Sequence, residues 1–103
     1  MKHREQFNNY TNSIFNLLLD TDDKLFQKSI DLIKKTQTQK GKVYIVGNGG
    51  SSSMASHVSV DFAKVARVNS STFNNANLIT CFANDYGYEN WVVEAIKAYL
   101  NKN

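Results

Sequence analysis

At 103 residues the chain is long enough for one small core, and its 42% hydrophobic and 20% charged content is ordinary globular usage that argues against disorder. No apolar run approaches the length of a membrane span, and Met1-Lys2-His3-Arg4-Glu5-Gln6 lacks the apolar core of a secretory signal. The expectation is a cytoplasmic protein with no membrane partner. The formal charge of +3 lies wholly in residues 1–42, which hold eight Lys/Arg against five Asp/Glu, while residues 43–103 hold four of each. Lys34, Lys35, Lys40 and Lys42 gather where a second helix should end, a place where cations suit the helix dipole. They are not interleaved with exposed aromatics, so a solvated face is expected and not a nucleic-acid partner. The single cysteine, Cys81, cannot close an internal disulfide or make a zinc site by itself, and reads as a buried small hydrophobe.

In chain order, Phe7, Tyr10, Ile14, Leu17 and Leu18 have helical spacing, and Asp20-Thr21-Asp22-Asp23 ends that helix and caps the next, which carries Leu25, Phe26, Ile30 and Ile33. Val43-Tyr44-Ile45-Val46 then reads as a strand buried on both faces. It empties into Gly47-Asn48-Gly49-Gly50-Ser51-Ser52-Ser53, after which Met54, Val58, Asp61/Phe62 and Val65 return to helical spacing. By propensity the next strand is Leu78-Ile79-Thr80-Cys81-Phe82, preceded by the turn-rich Asn74-Asn75-Ala76-Asn77. A last helix spans Glu89 to Asn101 with Trp91, Val92, Ala95, Ile96 and Tyr99 as its apolar stripe.

The strand, loop, helix unit at 43–65 is the most informative stretch. Such a loop exposes backbone N–H groups at a positive helix N-terminus, and glycines let a ligand approach the main chain, which favours a phosphate or a polar sugar. It is neither a nucleotide P-loop, since no Gly-Lys-Ser/Thr follows, nor a Gly-x-Gly-x-x-Gly dinucleotide fingerprint. The plain alternative is a tight strand-to-helix connection. His57 and Asp61, four apart, share one helix face and can hold a metal ion or a substrate between them. The bland reading of that pair is a surface contact of about 0.2–0.5 kcal/mol. Asn84-Asp85-Tyr86-Gly87 by itself reads as a turn.

Taken together, Gly47-Asn48-Gly49-Gly50-Ser51, His57, a carboxylate at 61 and Ala83-Asn84-Asp85-Tyr86-Gly87-Tyr88-Glu89 resemble the phosphoheptose isomerases of the sugar isomerase (SIS) domain superfamily. The resemblance implies an α/β fold in which two leading helices precede the first part of a doubly wound parallel sheet. It covers only the first half of the family pattern, so a truncated SIS domain is expected, with residues 1–40 as a helical oligomerisation segment and 41–103 as a partial α/β core. The family's second strand falls at Val68 to Phe73, with a short helical turn before Asn84-Asp85, in conflict with the propensity reading of 78–82; the motif spacing favours the family's placement.

The resemblance also implies the chemistry, the conversion of sedoheptulose 7-phosphate to D-glycero-D-manno-heptose 7-phosphate through an enediol. Asn48, Gly49, Gly50 and Ser51 match the substrate-contacting loop, and Asn84 and Asp85 match a second sugar-contacting motif. His57 matches a zinc ligand, and Asp61 stands where the family has a catalytic, metal-binding Glu. Asp61 sets its carboxylate back by roughly 1 Å, a displacement that costs about a hundredfold if uncompensated. Met54 replaces an Asp common in the family. The Ser/Thr-rich phosphate loop and the late Gln and His of the family have no counterpart here, which implies little isomerase activity from this chain alone. The implied partners are a sugar phosphate and further copies of the chain, a homotetramer by resemblance. The second hypothesis is a non-catalytic SIS module that binds a sugar phosphate or a protein.

Overall fold

The computed structural model describes residues 2–100, which form α1 (Lys2–Leu19), α2 (Asp23–Thr38), β1 (Val43–Tyr44), α3 (Gly50–Lys64), β2 (Ser70–Ser71), α4 (Ala76–Tyr86) and α5 (Trp91–Tyr99). Residues 1–34 and 35–103 are two compact units. None of the described helices is long and apolar enough to cross a membrane.

In the first unit, Asp22 starts α2 by accepting the Lys24 N–H on its side chain at 2.9 Å and the Leu25 N–H on its carbonyl at 2.9 Å. The apolar stripes expected on these helices are present but uncovered: Phe7, Tyr10, Leu17, Leu18, Leu25 and Phe26 are all exposed.

The second unit is built on a two-stranded parallel sheet, in which Val43 pairs with Ser70 and Tyr44 with Ser71. Main-chain bonds extend the ladder on both sides, from Val43 N–H to Asn69 O and from Ile45 N–H to Ser71 O, each 2.9 Å. The fold is thus mostly helical with a small parallel sheet. Residues 43–46 are half-buried, not fully enclosed, because the sheet has only these two strands among the described residues.

Phe73, Trp91 and Ala95 form the core, and Tyr44, Val46, Leu78, Ile79, Phe82, Val92 and Ile96 pack around them. Tyr44 stacks on Phe73 with ring centroids 4.8 Å apart, and its hydroxyl donates to Tyr99 O at 3.2 Å, seating α5 on the sheet. Against α3 the sheet is polar. Ser70 Oγ donates to Ser59 O, and Asn74 Nδ2 donates to Ser52 O and to Ser56 Oγ. The polar composition of 68–73 is therefore compatible with a strand: Val68 and Phe73 are buried at its two ends, and Ser70 finds an acceptor on the serine-rich side of α3, although the Thr72 hydroxyl is buried without a partner.

The second strand lies within Val68 to Phe73, and residues 78–82 belong to a helix, not to a strand. Asn75 decides this locally. Its side chain accepts the N–H of Asn77 at 2.9 Å and of Leu78 at 3.4 Å, capping α4. Leu78, Ile79, Phe82 and Ala83 then meet the core at helical spacing. That helix has eleven residues, more than the short turn expected before Asn84-Asp85. It also turns Cys81 outward, so the cysteine is exposed, and its thiol faces Asp85 Oδ2 at 3.8 Å. The last helix begins at Trp91 and not at Glu89; Asn101, its expected end, lies outside the described residues.

Candidate functional site

The loop between β1 and α3 is shaped by two glycines. A β-carbon on Gly47 would lie 2.2 Å from Ser51 O and 2.8 Å from Ser52 N, so the strand end and the first helical turn meet at a distance that no side chain permits. Gly49 occupies φ 57° and ψ −124° as the residue preceding α3, a conformation strained for any other residue. The turn closes through Ser51 N–H to Asn48 O and Ser52 N–H to Gly49 O, both 3.0 Å, with Ser52 Oγ donating to Gly49 O at 2.7 Å. The loop amides are thus not all free. Among the described residues only the N–H groups of Gly49 and Gly50 within 49–52 lack an acceptor.

A second segment reaches this loop. α4 ends at Tyr86, Gly87 N–H bonds back to Ala83 O at 3.0 Å, and the chain turns so that the Tyr88 hydroxyl donates to Asn48 Oδ1 at 2.8 Å. Asn84 and Asp85 occupy the last turn of α4 in solvent, with Asn84 Nδ2 donating to Asp85 Oδ1 at 3.0 Å. The two motifs read from the sequence therefore meet through Tyr88 and Asn48. Tyr88 lies within the motif at 83–89 and Asn74, which ties the residues after β2 to α3, within the turn-rich stretch at 74–77, but the sequence assigns neither a role in the site, because both act through contacts 18 to 40 residues away.

His57 and Asp61 share one face of α3, with His57 Nε2 3.4 Å from Asp61 Oδ2 and side chains 80% and 54% exposed. His57 follows Gly50 by two turns, about 10 Å along the axis. Asp61 borders a concavity of about 240 Å³ that is otherwise apolar, lined by Val58, Phe62, Val65 and Ala66. Zinc needs three or four side-chain donors, and among the described residues no group of three His, Cys, Asp or Glu converges. Among the described residues His57 and Asp61 thus supply two of the donors a zinc site needs.

A model of the SIS domain matches residues 6–98, and the chain belongs to that family. It is similar to the phosphoheptose isomerase of Helicobacter pylori strain P12, 32% identical over 90 residues that cover 82% of this chain and 47% of the relative. It is also similar to the phosphoheptose isomerase of Burkholderia pseudomallei strain 1710b, 30% identical over 82 residues that cover 74% of this chain and 42% of the relative. The chain spans less than half the length of these relatives. No solved structure matches it.

Proposed function

We propose that this chain supplies part of a sugar-phosphate isomerase of the phosphoheptose type, acting on sedoheptulose 7-phosphate. The observation that carries this reading is the Tyr88–Asn48 hydrogen bond, which joins the Gly47–Ser51 loop to the segment bearing Asn84 and Asp85. In this reading Asn48, Gly49, Gly50 and Ser51 receive the substrate, with the unpaired glycine amides as donors to its oxygens. Asn84 and Asp85 contact sugar hydroxyls. Asp61 is the proton-transferring carboxylate that takes the hydrogen alpha to the carbonyl and returns it to the neighbouring carbon, with an enediol between. His57 orients that carboxylate from one helical turn away.

The exposure of His57 and Asp61 supports a second reading, a SIS module that binds a sugar phosphate without turning it over, since proton abstraction from carbon needs a carboxylate shielded from water. One experiment separates the two. Sedoheptulose 7-phosphate is titrated into labelled protein while the amide resonances of residues 47–52 are followed, and turnover is read by a coupled assay on the same sample. Loop shifts with turnover, however slight, support the isomerase; loop shifts with no detectable turnover support the binding module. Shifts confined to other parts of the chain overturn both.

A further inference from the structure

We infer that Tyr88 is a positioning residue that turns Asn48 into a hydrogen-bond donor toward the ligand, an inference that rests on the loop being the sugar-phosphate site. A carboxamide offers one acceptor oxygen and one NH₂ donor group, and which of them faces a ligand depends on what holds the other. Here the Tyr88 hydroxyl donates to Asn48 Oδ1 at 2.8 Å, which occupies the acceptor end. Asn48 Nδ2 has no acceptor among the described residues, and neither do the adjacent N–H groups of Gly49 and Gly50. The carbonyls of Asn48 and Gly49 are meanwhile taken by the amides of Ser51 and Ser52. The mouth of the loop therefore presents donors, with its nearest acceptors already engaged. Such a surface selects a ligand oxygen that only accepts, as in a phosphate or a sugar carbonyl. Without Tyr88 the amide can rotate and present oxygen, which repels the same ligand atom.

The alternative is that Tyr88 merely pins the α4–α5 connection to the β1–α3 loop. Tyr88→Phe, Asn48→Ala and the double variant of the full chain separate the two when titrated with inorganic phosphate, reading the Gly49 and Gly50 amides and the Asn48 side-chain NH₂ resonances. Tyr88→Phe should leave a dispersed spectrum, move the Asn48 NH₂ pair toward the positions of a freely rotating amide, and weaken phosphate binding about three- to tenfold. The double variant should bind no more weakly than Asn48→Ala alone, because the hydroxyl acts only through that amide. Unchanged Asn48 NH₂ resonances in Tyr88→Phe, or an additive double variant, overturn the inference while leaving the site. Phosphate that moves neither glycine amide in the unsubstituted protein overturns the functional reading, and the ligand role of Tyr88 with it.

Discussion

Gly47 and Ser51 approach so closely that a β-carbon on Gly47 would lie 2.2 Å from the Ser51 carbonyl oxygen. The obstacle is main chain at the start of α3, which cannot rotate aside as a side chain would. Gly47→Ala should therefore destabilise the protein by about 1–3 kcal/mol, the usual cost of forcing a methyl group into filled space. Gly50, by contrast, has open space around its missing β-carbon and lies inside the helix. Gly50→Ala should be neutral or stabilising by up to about 1 kcal/mol. Urea denaturation of the two variants side by side checks the contrast, and equal midpoints would refute it.

Phe73 links the sheet to α5 through its stack on Tyr44 and its contact with the Tyr99 ring, 5.6 Å away. Phe73→Ala should cost about 3–5 kcal/mol, a large share of the stability available to a unit this small. Trp91 is the chain's single tryptophan and sits in the same core, so its fluorescence reports the loss directly.

Asn75 holds α4 in place of the strand that local propensity favours. Asn75→Ala removes the acceptor of the Asn77 and Leu78 amides and should cost about 1 kcal/mol, whereas Asn75→Asp keeps the cap and should cost much less. Amide exchange at Asn77 and Leu78, faster in the alanine variant only, is the matching local readout.

The exposed apolar residues of the first unit, among them Phe7, Leu17, Leu18 and Phe26, leave large hydrophobic side chains uncovered on both helices. We expect the chain to self-associate through residues 7–33, and Leu17→Glu with Leu25→Glu to shift it toward monomer. Light scattering showing a stable monomer of the unsubstituted chain at micromolar concentration would contradict this.

Isomerase turnover by this chain alone should be slight. The Asp61 side chain is 54% exposed, and among the described residues His57 is its one ionic partner. A coupled assay with sedoheptulose 7-phosphate that finds rates like those of the longer relatives would defeat that expectation.

Local chemistry alone determined the helices at 2–19 and 23–38, the strand, glycine loop and helix at 43–64, and the pairing of His57 with Asp61, because each depends on spacing within a few residues. The order of motifs then located β2 against the propensity of 78–82. Only tertiary structure decided why that order holds. Asn75 caps a helix whose apolar side meets Phe73 and Trp91, and Ser70 and Asn74 bond across to α3, contacts 11 to 22 residues apart that no local window contains. The same holds for exposure. Cys81 was expected inside and lies outside because a helix, unlike a strand, rotates it away from the core. The meeting of Tyr88 with Asn48, 40 residues apart, exists only once α4 and the β1–α3 loop are folded side by side.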